Sequence, residues 1–143
     1  MNTEIFEKIK INMVIPHDVN IFHKIFEKSN KKLYIVGGAI RDYLMGNQPH
    51  DFDLVTDALP NEIINLLSNY RTDLQGVKFG IVRVFTESCP LGYEIASYRR
   101  DLVNGRDNKG DEPKVEIGNH ITIKDDCLRR DITINALYYN IRT

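Results

Sequence analysis

"LYIVGGAIRDYLMGNQPHDFDLVT", from Leu33 to Thr56, places a double glycine, an arginine and two aspartates between two apolar runs. "LYIV" (33–36) is short, rich in β-formers and followed by glycine, which predicts a strand. "AIRDYLM" has helical character and stops at Gly46, a residue suited to ending a helix. "DFDLVT" predicts a second strand. Gly37 and Gly38 therefore fall between a strand and a helix start. Glycine there permits a tight turn and lets a phosphate approach exposed N–H groups. Arg41, one turn in, would add forked donors to the same phosphates. The spacing is not that of a P-loop, since no Gly-Lys-Ser/Thr follows, and GxGxxG is absent.

Asp51 and Asp53 are i and i+2 on the second strand, so both side chains point to one face. Two adjacent carboxylates repel unless a cation compensates. Hard divalent ions such as Mg²⁺ take oxygen ligands of this kind together with substrate phosphates. Each piece also has a bland reading: a turn with a solvated Arg41, and a solvated strand end. The order in which they follow one another favours a phosphate-and-metal site.

Outward from this stretch the chain alternates helices and strands. Val19, Phe22, Ile25 and Phe26 recur at helical spacing between Asp18 and Ser29, with Asp18 as the expected N-cap. "LPNEIINLLSNY" predicts a helix with Pro60 in its first turn and Ile63, Ile64 and Leu67 inward. "GIVRVF" (80–85) and "YEIASY" (93–98) predict strands joined by a hairpin through "TESCPLG". Glu94 is of the right type to be a third metal carboxylate. Arg99, Arg100 and Asp101 lead into a glycine-bearing stretch (101–114) expected to be a mobile loop, with a short strand at "KVEI" as an option. "IKDDCLRRDITINALYYN" (123–140) has Leu128, Ile132, Ala136 and Tyr139 at helical spacing, with Thr122 as its cap. Asp131 and Asn135 share a face of that expected helix, as two groups reading a ribose would. The pattern is α+β, a small mixed sheet with packed helices.

The 143 residues suit one domain with a true core. With 19 basic and 20 acidic side chains the net charge is −1, so any nucleic-acid contact has to be local or supplied from elsewhere. Cys89 and Cys127 make no metal spacing and are expected as thiols, in keeping with a reducing, cytoplasmic setting. The four histidines show no ligand spacing, and only His50 lies near the site. No apolar run reaches the ~18 residues of a membrane helix.

Taken in order, "IVGGAIRDYLMG", "HDFDLVT", "YEIASYRRD" and "CLRRDITINALYYN" resemble the catalytic head of class II tRNA nucleotidyltransferases, the CCA-adding enzymes, and bacterial poly(A) polymerases. The resemblance covers Leu33 to Asn140. It implies the nucleotidyltransferase fold shared with DNA polymerase beta. It implies that Gly37, Gly38 and Arg41 hold a triphosphate and that Asp51 and Asp53 hold Mg²⁺. Arg130 would contact the incoming nucleotide, with Asp131 and Asn135 on its sugar side, while Arg99 and Asp101 belong to the flexible-loop element. The reaction implied is attack of an RNA 3′-hydroxyl, that of tRNA or another RNA, on the α-phosphate of ATP or CTP.

Family members continue into neck, body and tail regions that select the base and grip tRNA. Residues 1–32 are expected as a helical extension and 33–143 as the catalytic core, with neck, body and tail absent. Three readings follow: a head completed by a second chain, a stand-alone minimal nucleotidyltransferase for a small molecule or protein, or a non-catalytic binding module. An exposed apolar patch at Leu137, Tyr138, Tyr139 and Ile141 would favour the first, and a covered carboxyl end the second.

Overall fold

A computed structural model describes residues 15–46, 52–101, 115–118, 120–128 and 138–141. The elements are α1 (His17–Lys28), β1 (Leu33–Val36), α2 (Gly38–Leu44), β2 (Asp53–Thr56), α3 (Pro60–Leu66), β3 (Arg71–Asp73), β4 (Ile81–Phe85), β5 (Tyr93–Ser97), β6 (Arg100–Asp101), β7 (Val115–Glu116), α4 (Ile123–Leu128) and β8 (Tyr138–Asn140). A six-stranded sheet runs β3-β4-β5-β2-β1-β8, and β6 and β7 form a separate two-stranded ribbon. β2 and β5 are parallel, and the other neighbours in the large sheet are antiparallel. This is the α+β, mixed-sheet architecture that the sequence pattern predicts.

Alternation along the strands divides the sheet into two unlike faces. On one, Leu33, Ile35, Leu54, Val82, Val84 and Ile95 form the main core with Val19, Phe22 and Phe26 of α1, Ala39 and Ile40 of α2, and Ile63 of α3. Phe22 anchors it, with edge-on ring contacts to Tyr70 and Tyr93 at 5.3 and 5.5 Å. The other face carries a smaller cluster, Val36, Val55, Tyr98 and Ile121, against which Ile123 of α4 packs.

α1 begins at His17 with Pro16 ahead of it and no side-chain cap. Asp18 is thus not the N-cap; its carboxylate instead reaches the β4–β5 hairpin, described below. Ile25 is only partly buried at the edge of the core, as is Ile64. Pro60 opens α3 as expected, and the Glu62 carboxylate turns back to accept the Leu59 N–H at 2.9 Å. Thr122 does cap α4: its Oγ1 accepts the Asp125 N–H at 3.2 Å, and the Asp125 carboxylate accepts the Thr122 N–H at 3.0 Å.

The expected long helix 123–140 is overturned. α4 is described over Ile123–Leu128, and Tyr138–Asn140, the expected end of the helix, is instead a strand paired antiparallel with β1. "LYYN" reads equally well as a strand, and edge pairing with β1 outweighs helical periodicity there. Ile141 is 1% exposed in the main core, so it forms no exposed patch. β3 went unpredicted because "RTD" carries no apolar alternation. It exists because β4 offers it an edge.

Candidate active site

The turn after β1 is built on Gly37, whose φ of +71° is a left-handed conformation that disfavours other residues. A β-carbon there would meet none of the described residues within 4 Å, so among them the space beside the turn is open. Gly38 is the first residue of α2, and the backbone of Arg41 lies within that helix.

Register places carboxylates against this turn. Val36, the last residue of β1, is the partner of Asp53, the first of β2, and Asp53 is the partner of Glu94 on parallel β5. The ladder continues from Glu94 to Arg83 on β4 and from Arg83 to Asp73 on β3. On the other side Val36 pairs with Tyr138 of β8. One row of paired residues thus crosses all six strands, Asp73–Arg83–Glu94–Asp53–Val36–Tyr138, and its Asp73, Arg83, Glu94, Asp53 and Val36 lie on the face away from the main core. Asp53 is exposed and Glu94 half-buried. Strand spacing of ~4.8 Å makes the two residues immediate cross-strand neighbours on one face.

Glu94 is not isolated. The Arg83 guanidinium donates from Nη2 to Glu94 Oε2 at 2.5 Å and from Nη1 to the Leu91 carbonyl at 2.9 Å. Sequence reasoning passed over Arg83, although an arginine between Val82 and Val84, one hairpin away from Glu94, marks a cross-strand ion pair.

Arg99 stands at the close of β5, held rather than loose. Its N–H donates to the buried Asp126 at 2.9 Å, and its guanidinium to the Phe79 carbonyl at 3.3 Å. Asp101, expected in the loop, has its backbone in β6, paired with Val115 of "KVEI". Residues 102–114 of the expected loop lie outside the described residues. So do Asp51, His50, Arg130, Asp131 and Asn135, along with the side chains of Arg41, Arg100, Asp101 and Cys127. Cys89 is a half-buried free thiol.

A second acidic centre lies on the main-core face. Asp18 accepts hydrogen bonds from Thr86 Oγ1 at 2.7 Å, from Tyr93 OH at 3.1 Å and from Ser88 Oγ. Burial alone would push the Asp18 carboxyl up, but the Ser88, Thr86 and Tyr93 hydroxyls, helped by His17, bring it below its ordinary value. The Tyr93 phenol is pushed up by burial and by the nearby Asp18 charge. A cleft of about 650 Å³ opens beside this centre, lined by Asp18, Arg71, Phe85 and Thr86 among others. It shares no residue with the Gly37–Asp53 row.

Among the described residues no three His, Cys, Asp or Glu side chains are gathered for a metal ion. Asp53 and Glu94 nonetheless supply hard oxygen donors on an open surface, next to a turn with room for a phosphate. The donor chemistry fits Mg²⁺ and not a thiolate- or imidazole-seeking metal.

The model of the poly A polymerase head domain matches residues 33–143. The chain belongs to that family. It is 34% identical over 127 residues to poly(A) polymerase I of Haemophilus influenzae, covering 85% of this chain and 27% of that protein. The Bacillus stearothermophilus CCA-adding enzyme, solved in complex with CTP, superposes with a TM-score of 0.65 at 26% identity, over 85% of this chain and 26% of the other. A tRNA nucleotidyltransferase solved with a primer tRNA and an incoming ATP analogue gives a TM-score of 0.59 at 26% identity, over 83% and 30% of the two chains. The head-domain chain thus spans little more than a quarter of the length of these relatives. Its fold is that of their nucleotidyltransferase heads, in agreement with the resemblance carried by the sequence motifs. No helix among the described residues is long and apolar enough to cross a membrane.

Proposed function

We propose that this head domain is the catalytic part of a Mg²⁺-dependent nucleotidyltransferase that adds CMP or AMP, from CTP or ATP, to an RNA 3′ end of the tRNA CCA type. The observation that carries this reading is the register Val36–Asp53–Glu94, which sets the Gly37 turn beside two carboxylates.

In this reading Gly37, Gly38 and Arg41 hold the triphosphate, and Arg130, Asp131 and Asn135 hold the base-and-sugar part of the nucleotide. Asp51 and Asp53, with Glu94 as the third carboxylate, hold the cation. Bound there, Mg²⁺ offsets charge on the attacking and leaving oxygens. The acceptor 3′-oxygen forms a bond to the α-phosphorus and pyrophosphate leaves with its bonding pair. The head carries no more than a weak preference between CTP and ATP, with tRNA gripped by regions beyond it. A second chain supplying such regions, and a reducing, cytoplasmic setting, belong to the same reading.

Label transfer from α-labelled CTP and ATP with Mg²⁺ onto tRNA lacking its CCA end tests this. Incorporation that Asp53→Ala and Asp51→Ala abolish is the expected result. Incorporation unaffected by either change would overturn the metal assignment. Nucleotide binding should weaken in Arg130→Ala, and unchanged affinity would remove that residue from the site.

A further inference from the structure

Arg83 sits between Val82 and Val84, both wholly buried, and its side chain emerges on the opposite face of the sheet. It is fixed in three places. Nη1 donates to the Leu91 carbonyl and Nη2 to Glu94 Oε2. Its methylenes lie against Gly92: a β-carbon there would come within 2.7 Å of Arg83 Cγ. Gly92, at φ +89°, both turns the hairpin and leaves the arginine its channel.

The cross-strand row explains what this fixation does. Glu94 has a cation on one side and the exposed Asp53 on the other. Like charges directly opposite one another destabilise a sheet, and a guanidinium next door relieves that repulsion. The same guanidinium occupies one oxygen of Glu94 and stands two strands, ~10 Å, from Asp53. The Arg83 and Glu94 side chains are 37% and 40% exposed, so screening by water limits the effect without abolishing it.

We propose that Arg83 is a positioning residue that masks Glu94 and keeps the affinity of the nucleotide-free site for divalent cations low. The cation then enters in company with the triphosphate, whose own oxygens add to its ligands. The inference rests on the metal reading of Asp53 and Glu94 given above. It has a sign that mere loosening of the hairpin would not produce. Removing the Arg83 charge should strengthen binding of the metal alone and leave binding of the nucleotide, three strands away, nearly unchanged, whereas a loosened hairpin weakens metal binding.

The test is titration of the full chain with Mn²⁺ alone, followed by the paramagnetic signal of the free ion, and with metal-free CTP. Arg83→Gln should bind Mn²⁺ about threefold to tenfold more tightly than the unaltered chain, the scale of one charge ~7 Å from a divalent ion in a wet site. Metal-free CTP, held three strands away, should bind within about twofold of its affinity for the unaltered chain. Arg83→Lys should stay within about twofold of the unaltered chain, and the gain should vanish when Glu94→Gln is added. Arg83→Thr, a strand-former without charge, should repeat the result if the glutamine variant folds poorly. Unchanged or weaker Mn²⁺ binding in both uncharged variants would overturn the role of Arg83 while leaving the metal site standing. Mn²⁺ binding that Asp53→Ala does not alter would overturn the metal reading and this inference with it.

Discussion

Two acidic centres lie at the same end of the sheet, on opposite faces, and they are built in opposite ways. Asp18 is ringed by hydroxyl donors from Thr86, Ser88 and Tyr93, which tie α1 to the β4–β5 hairpin. Asp53 is exposed, has the acid Glu94 as its strand neighbour, and adjoins a glycine turn with open space. A carboxylate placed beside another carboxylate at the surface is stabilised when a cation arrives. The contrast teaches that the surroundings of an acid, more than its position in the fold, separate holding from acting.

The largest expected effect belongs to the acting centre. Asp53→Ala should lower transfer by ~10³-fold or more, the scale of losing a charge-stabilising group at a reacting phosphate. Its melting temperature should stay within a few degrees of that of the unaltered chain, as for an exposed residue at a strand end. A comparable loss of transfer in Asp18→Ala would break the comparison. That variant should instead lose about 2 kcal/mol of stability in denaturant unfolding, because Tyr93 and two hydroxyls lose a charged acceptor. Its turnover per folded molecule should stay near that of the unaltered chain.

Proton linkage sharpens the contrast. The folded-state carboxyl of Asp18 lies below its ordinary value of 3.8, so its contribution is present above that value and lost as pH falls through the folded value. The stability gap between the unaltered chain and Asp18→Asn should therefore narrow below pH 3.8, as followed by unfolding across pH. Glu62, lowered chiefly by the Leu59 N–H, adds acid sensitivity in the same direction to both proteins and leaves the gap itself intact. The smallest effect is expected at the turn. Gly37→Ala should cost about 1 kcal/mol, from the left-handed backbone and not from crowding. A much larger loss would mean that the space beside Gly37 is filled.

The β1–turn–α2–β2 stretch was legible because its cues are local: a β-rich run, paired glycines, helical spacing and a second strand within two dozen residues. Thr122 and Pro60 could be placed for the same reason, since caps depend on neighbours three or four positions away. The family, too, is carried by short ordered motifs. Asp18 shows where such cues fail. The preference of aspartate for an N-cap pointed to the helix, yet hydroxyls some 70 residues away in sequence offered better partners.

What the sequence by itself determined is the set of chemical groups, the glycine turn and most of the strands, because side-chain period and turn chemistry act over a few residues. Tertiary structure alone decided the parallel pairing of β2 with β5, the capture of β3 and β8 at the two edges, and the row that sets Arg83 against Glu94 and Glu94 against Asp53. Register between distant strands follows from burying the main-core face as a whole. A one-residue slip would turn every apolar side chain outward, and that penalty is spread over the entire sheet.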